Sequence, residues 1–368
     1  MYNKNQATSN SQPLDTTKKE RYGTLWNTVV LKKFRDEREM LLPLSTHPDP
    51  DEYGSLIALA LARQSARLQT TLYIPEDAWK KVPQYFKDII MEEQLRLSHT
   101  VPERLPAVCF VDTANPSLYD PAVAAKLDRD TVVFDFDHHQ GTGNHHLEQA
   151  LHINNNMYKS AGGMIGEMFL KDFHLVFPRL EKSKNLARAL SGAIVSDTNK
   201  FRLQGTTEAR HIADQFITRT GMGYEEIFDA VHQYSKDDAA LCQVLESRVQ
   251  EREIAIKGKK TKVCFLEVTA ADLAPYKGLM NWRYKLVDNL GFDHGYSVVC
   301  VAFPGRDGLR GSIRAFGPAE GTMDFKKVAQ LYDDNGGGHP GAVGFSFVKE
   351  KYTPDQLLKQ LQEIAPDK

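Results

Sequence analysis

Thr131-Val132-Val133-Phe134-Asp135-Phe136-Asp137-His138-His139 decides the fold. A run of β-branched and aromatic residues stops abruptly in carboxylate and imidazole. Two earlier stretches do the same. Leu41-Leu42-Pro43-Leu44 leads into His47-Pro48-Asp49-Pro50-Asp51, and Ala107-Val108-Cys109-Phe110-Val111 leads into Asp112. Continuous apolar runs of this length read as buried strands of a parallel sheet. In open α/β sheets, ligands collect beyond the carboxyl ends of the strands. Three such ends can meet at one point, and a mixed Asp and His set suits one or two divalent ions of the Mn, Mg or Zn type.

Outward from these runs, strand and helix signals alternate from residue 41 to about 222. Ser55–Leu68 reads as a helix and Thr70–Ile74 as a strand. Ser160–Leu170, Leu186–Val195 and Thr207–Arg219 read as further helices. This alternation predicts a doubly wound α/β domain. Residues 1–40 are expected to form a polar tail followed by a helix over 21–40. Residues 224–256 contain no Gly or Pro and read as helical, within a linker spanning 223–260 that ends in a turn at Gly258-Lys259-Lys260. A smaller α/β domain is expected over 261–368, with strands at Lys262–Val268, Tyr296–Phe303, Gly311–Arg314 and Gly344–Val348. Helices are expected at Phe325–Leu331 and Pro354–Ile364.

The 368 residues are 41% hydrophobic and 26% charged, an ordinary soluble composition with room for two cores. The net charge of −2 provides no global basic field for nucleic acid, so a polyanion must be held locally. The basic run Lys257, Lys259, Lys260 and Lys262 reads as a solvated turn. Cys109, Cys242, Cys264 and Cys300 are widely spaced and read as buried free thiols, which suits a cytoplasmic protein. No apolar run is long enough to span a bilayer, and the N-terminal stretch lacks the apolar core of a secretory signal.

Each candidate ligand also has a plainer reading. His47, Asp49 and Asp51 alternate, so in an extended segment they share a face about 6–7 Å apart; alternatively they form an acidic turn before a helix. Asp112 can be a ligand or a helix cap. The adjacent imidazoles of His138 and His139 can divide the work, one binding metal and the other contacting a phosphate or donating a proton. His145-His146 read as exposed loop residues. Asp197 ends the small-residue run Ala193-Ile194-Val195-Ser196, where a carboxylate does not favour a helix.

A second constellation lies near the C-terminus. Asn335-Gly336-Gly337-Gly338-His339-Pro340-Gly341-Ala342 precedes a strand, and its glycines allow a ligand to approach the backbone closely. His339 can donate to a phosphate or stack on a base. Arg314, in Gly311-Ser312-Ile313-Arg314, offers a planar fork for phosphate. The alternative is a flexible hairpin turn.

HPDPDEYGS, VDTAN, DHH, SDTNKFR, SIR and GGGHPGAVGF together resemble, in order, the motifs of the DHH/DHHA1 phosphoesterases. The resemblance covers residues about 41–350 and is nearest to the branch of nanoRNases and 3′-phosphoadenosine-5′-phosphate (pAp) phosphatases. It implies a parallel-sheet catalytic domain over 41–222, a smaller substrate-binding domain over 261–368, and an active site in the cleft between them. It also implies two divalent ions, Mn²⁺ first, with Mg²⁺ or Co²⁺ as alternatives. Asp49 would bind one ion and Asp51 the other, Asp112 would bridge them, and His138 and Asp197 would complete the ligands of the second ion. His139 would lie against the scissile phosphate. Arg314, Ser312, His339 and Gly336, Gly337 and Gly338 would hold the far end of the substrate. The implied substrates are dinucleotides and short single-stranded RNA, with a homodimer left open and no membrane partner.

The chain departs from the family pattern at one place. Where the family carries a His four residues before the first Asp, this sequence has Ser45. His47 either takes that ligand's place or stands behind the ligands of the first ion, with the first site left weak. Three other readings stay open: cleavage of linear or cyclic dinucleotides, hydrolysis of polyphosphate, and a nucleotide sensor whose first metal site has decayed.

Overall fold

The computed structural model describes residues 29–113, 118–139, 151–154, 158–173, 180, 182–203, 206–277, 279, 281–305, 308–334, 336–339 and 341–365. The polar tail, Ala114-Asn115 and His145-His146 lie outside them. The chain divides into two units. One takes residues up to Val82, Phe86–Asp197 and Glu208–Met222. The other takes Pro83–Tyr85, Thr198–Thr207 and everything from Gly223.

In the first unit, β1 (Glu39–Pro43), β2 (Gln69–Tyr73), β3 (Leu97–Ser98), β4 (Ala107–Val111), β5 (Val132–Asp137) and β6 (Leu151–Asn154) form one sheet in the order β3-β2-β1-β4-β5-β6. Every neighbouring pair is parallel. All five residues of β4 are buried, which accounts for the absence of apolar–polar alternation. The order reverses between β1 and β4, and in such sheets the crevice at that reversal holds the ligand.

Helix α1 (Pro50–Ser65) begins at an Asp49 N-cap, with Pro50 in its first turn followed by Asp51 and Glu52. It starts five residues earlier than expected. Its partners are α2 (Ala161–Met168) and α3 (Lys184–Asp197), and α4 (Thr207–Thr220) packs on α2, where a Cβ at Gly166 would lie 3.0 Å from Ile212. A Cβ at Gly54 would lie 2.3 Å from the Ala189 carbonyl oxygen, so α1 and α3 pack backbone to backbone. The expected helix over 21–40 is corrected within the described residues. It covers 29–36, and Glu39 and Met40 already belong to β1.

In the second unit, the continuous helix expected over 224–256 is three elements: α5 (Tyr224–Val231), α6 (Lys236–Glu246) and β7 (Gln250–Ile256). Gln233 takes a left-handed φ of 54° and breaks the first helix without a Gly or Pro; Ser235 then caps α6. In β7 only Ile254 and Ile256 are buried, a period of two. The strand pairs with β8 (Lys259–Glu267) through Lys257-Gly258, both at positive φ, so the turn falls before the Gly258–Lys260 expected. Lys257, Lys259, Lys260 and Lys262 are exposed, as the sequence indicated.

With β9 (Val298–Gly305), β10 (Gly308–Ala315), β11 (Gly337–His339) and β12 (Ala342–Ser346), these strands form a sheet ordered β11-β12-β10-β9-β8-β7. It is antiparallel except between β8 and β9. Phe265, Cys300 and Ile313 pack on one face against α8 (Lys326–Tyr332) and α9 (Pro354–Ile364). Cys264, Val299 and Val301 pack on the other against α6 and α7 (Trp282–Asp288). All four cysteines are free and buried. Among the described residues no helix is long and apolar enough to cross a membrane.

Candidate metal centre

The site grows from the ends of β1, β4 and β5. Asp49 caps α1, its Oδ1 accepting from the Glu52 N–H at 3.0 Å. Asp51, one turn in, reaches the start of α2. Its carboxylate accepts from the Ala161 N–H at 2.6 Å and the Gly162 N–H at 2.8 Å, with the Ser55 hydroxyl at 3.3 Å. Helix N-termini favour carboxylates in this way. Gly162 has no room for a side chain, because a Cβ would fall 2.4 Å from the Ala193 Cβ and 3.0 Å from Asp51 Oδ1.

Asp112 follows β4 with φ at 54°, a left-handed conformation that Asp tolerates better than most residues. Its own N–H still donates to Phe136 at 2.9 Å, which keeps it tied to β5. His138 Nε2 lies 3.2 Å from Asp112 Oδ1, 3.4 Å from Asp197 Oδ2 and 3.9 Å from Asp51 Oδ2. Asp112 Oδ1 is nevertheless buried without a hydrogen bond. Asp137 holds the other imidazole: it accepts from the backbone N–H groups of His138 at 2.7 Å and His139 at 3.2 Å, and from His139 Nδ1 at 2.7 Å.

Charge at the site is unbalanced. Burial, and then repulsion from neighbouring carboxylates, pushes Asp112 and Asp197 well above the usual carboxylate range and Asp51 up to about 7. Asp49 is exposed by surface area, yet its carboxyl group is also raised, with desolvation the first cause and hydrogen bonds from the Glu52 and Asp51 backbone opposing it. Burial and the charge of His139 lower His138 to about 4, leaving it a neutral imidazole. His139 is raised, chiefly by its hydrogen bond to Asp137. Burial works against Asp137, but His139 and the two backbone N–H groups outweigh it and lower its pKa. The result is a neutral imidazole among crowded carboxylates, beside a second imidazole poised to carry charge.

Carboxylates buried without countercharge are unfavourable, and oxygen donors with imidazole match hard and borderline divalent ions. Asp51, His138 and Asp197 form one set, and Asp112, His138 and His139 another, with ligand atoms within 4.8 Å of one another in each. These residues fit a divalent cation. Asp49 and His47 belong to neither set. His47 is exposed, with Nδ1 3.1 Å from the Thr46 hydroxyl. Ser45 is engaged elsewhere: its N–H and its hydroxyl donate to the Glu52 carboxylate at 2.5 and 2.6 Å.

The C-terminal constellation belongs to the second unit. The expected glycine loop is corrected there: Gly337–His339 form β11, an edge strand paired with β12. The register aligns the candidates in two rows. Arg314 pairs with Ala342, which pairs with His339; Ser312 pairs with Gly344, which pairs with Gly337. Gly336 lies just outside the strand, and its absent Cβ would meet Phe345 at 2.9 Å. Arg314 Nη1 lies 3.3 Å from Asp288 Oδ1.

Four contributors were missed in the sequence: Glu52 as the clasp on Ser45, Asp137 as the anchor of His139, the Ala161–Gly162 backbone beneath Asp51, and Asp288 beside Arg314. Ser160 preceding Ala-Gly-Gly was a readable N-cap signal. Asp288 carried no local signal. In SDTNKFR, Asn199, Lys200 and Phe201 have φ of 45°, 56° and 64°, three left-handed residues in succession and none of them glycine. Left-handed residues of this kind are each disfavoured by about 1–2 kcal/mol.

No family model and no curated protein sequence matches this chain. Solved structures do. An exopolyphosphatase-related protein from Bacteroides fragilis, 16% identical, superposes with a TM-score of 0.70 over 92% of this chain and 96% of its own. The DHH domain of a member of the s1p family of ribosomal proteins, 15% identical, has a TM-score of 0.53 over 96% of this chain and 93% of its own. The likeness is one of fold, and this chain has the α/β fold of the DHH-domain proteins.

Proposed function

We propose that this chain is a divalent-cation-dependent phosphoesterase that hydrolyses short oligoribonucleotides to mononucleotides, with pAp as a further substrate. The observation that carries this reading is the convergence of Asp51, Asp112 and Asp197 on His138 Nε2, all within 3.9 Å, with Asp112 Oδ1 buried and unsatisfied. Asp51, Asp112, His138 and Asp197, with Asp49 beside them, would hold divalent ions, Mn²⁺ or Mg²⁺. Bound there, such ions would supply Lewis acidity to phosphoryl oxygens and make water available as a nucleophile near neutral pH.

The chain's own groups do the rest. The α2 N-terminus fixes Asp51, and the β4–β5 pairing fixes Asp112. Asp137 accepts from His139 Nδ1 and favours the imidazolium form, whose Nε2–H would donate to a phosphate oxygen or to the departing ribose oxygen. Ser312, Arg314, the Gly336–Gly338 backbone and His339 form the candidate nucleotide-recognising surface of the second unit. A Cβ at Gly337 would meet nothing within 4 Å, so that backbone is open to a ligand.

The Bacteroides protein's description as exopolyphosphatase-related supports a second reading, polyphosphate hydrolysis. Against it, Lys200, Arg202, Lys285 and Arg314 of the second unit each lie within 3.3 Å of an acidic partner. A long polyanion is better served by uncompensated cations. A hydrolysis panel with Mn²⁺ separates these readings: 5′-phosphorylated diribonucleotides, longer RNA, pAp, cyclic dinucleotides and polyphosphate. The diribonucleotide is expected to turn over fastest. Polyphosphate in first place would establish the second reading, and tight dinucleotide binding with no turnover in Mn²⁺, Mg²⁺ or Co²⁺ would leave a sensor.

A further inference from the structure

We infer that the cation positions of this chain are unequal. One divalent ion binds tightly at His138 Nε2 with Asp51 and Asp197, flanked by Asp112, and a second is taken up only together with a phosphate-bearing ligand. This rests on the reading of the cluster as a cation site and concerns how that site is filled.

The two donor sets share His138. Its Nε2 is the nitrogen that faces Asp51, Asp112 and Asp197, and one imidazole nitrogen serves one ion. At that position His138, Asp51 and Asp197 form one donor set, and Asp112 approaches the same nitrogen at 3.2 Å from the other set. A second position must be built from what remains, and most of the remaining donors are committed. His139 Nδ1 is tied to Asp137 at 2.7 Å. Asp49 spends Oδ1 on the Glu52 N–H at 3.0 Å.

Ser45 offers nothing, because its N–H and its hydroxyl are both held by the Glu52 carboxylate. His47 is exposed and outside both donor sets. What is left is the second oxygen of Asp49, which already interacts with Asp112, and the Asp112 carboxylate itself. Ions held by only one or two carboxylates characteristically complete their shell with water and substrate phosphate. The Ser45–Glu52 clasp is thus the feature that separates a filled position from a conditional one.

The test counts ions. Equilibrium dialysis with elemental analysis, together with electron paramagnetic resonance of Mn²⁺, is applied to the full chain, alone and with inorganic phosphate. The wild type is expected to hold one tight ion, with the second about 10–100-fold weaker, the range over which supporting groups tune metal affinity. With phosphate, a second ion and a spin-coupled Mn²⁺ signal should appear. Ser45→His should bring the second ion in without phosphate, while Ser45→Ala should leave the count at one. Two ions of equal affinity in phosphate-free wild type would overturn the inference, as would a Ser45→His variant that still holds one. A wild type that binds no Mn²⁺ at all would overturn the cation site itself.

Discussion

In the first unit, Asp51, Asp112 and Asp197 crowd a neutral imidazole; in the second, Arg314 lies 3.3 Å from Asp288. Both regions bury carboxylates beside a sheet, and burial is the first cause of the raised pKa in each. They differ in what opposes it. For Asp288 the next influence is the Arg314 charge, pulling its pKa back down; for Asp112 the next four are other carboxylates, pushing it further up. Asp288 thus serves as an internal control, a buried acid whose countercharge the chain supplies. The Asp112 cluster is a comparable construction with that charge left out, which is why it is read as a cation site.

The largest expected effect breaks the comparison at its centre. Asp112→Asn should lower turnover of the best substrate by at least about 10²–10³-fold, the loss typical of removing one preorganised electrostatic contact. The same change should preserve or raise the melting temperature of chelator-treated protein, because a neutral amide replaces an uncompensated carboxylate. Asp288→Asn should do the reverse, costing about 1 kcal/mol of stability by stranding a partly exposed Arg314. If thermal unfolding in chelator shows Asp112→Asn losing as much stability as Asp288→Asn, the two regions are not opposites.

Next in size is the response to the ion. Mn²⁺ at about 100 times its dissociation constant should stabilise the first unit by about 2.7 kcal/mol, roughly 5–10 °C in melting temperature. The Asp112→Asn variant should respond far less. Calorimetry that resolved two transitions should show the shift in one of them alone; equal shifts in both would mean that the ion is not confined to the cluster.

The contrast was half legible in the sequence. The end of β4 at Val111 could be read because it is a continuous apolar run that stops at an acid, whereas β5 continues past a buried Asp135 to Asp137 and its apolar pattern alone marks its start better than its end. Helix α1 was visible from its Ala and Leu, but its start at Pro50 was not, because the Asp49 that reads as a ligand also serves as the cap. The strand β7 was hidden because charged residues dominate its exposed positions and its two buried isoleucines come last. Arg314 was recognisable, whereas Asp288 was not: a pairing across 26 residues between a helix end and a strand leaves no periodic trace. The Glu52 clasp was obscured for a related reason, since an acid in the first turn of a helix already has a sufficient local explanation.

The pH dependence sharpens the comparison on the side of stability. Burial raises Glu52 to about 8 and Asp51 to about 7, against ordinary values of 4.5 and 3.8. Between those limits the folded chain holds protons that the unfolded chain has released. Stability of the cation-free protein should therefore fall as pH rises from about 5 to 8, by up to about 1.4 kcal/mol per pH unit for each such group. Asp137, lowered by His139, contributes in the opposite sense, with stability that is lost only as pH falls through the acidic range. Saturating Mn²⁺ should flatten the part of the slope due to Asp51, because the ion takes the proton's place. Denaturant titrations at four or five pH values, with chelator and with Mn²⁺, measure this directly; a chelated protein that grows more stable toward pH 8 would contradict the uncompensated cluster.

The smallest effect is expected at Arg314. A group that binds substrate and transition state equally well changes KM and leaves kcat alone. Arg314→Ala should raise KM for a 5′-phosphorylated dinucleotide by about tenfold, near 1.4 kcal/mol, with kcat within about twofold of wild type. Arg314→Lys should recover the charge next to Asp288 but not the planar fork, and so restore stability more fully than KM. Steady-state kinetics on the two variants, set beside their melting temperatures, separates recognition from support. A fall in kcat at unchanged KM would place Arg314 with the reacting phosphate, and the division of labour drawn between the two sheets would have to be given up.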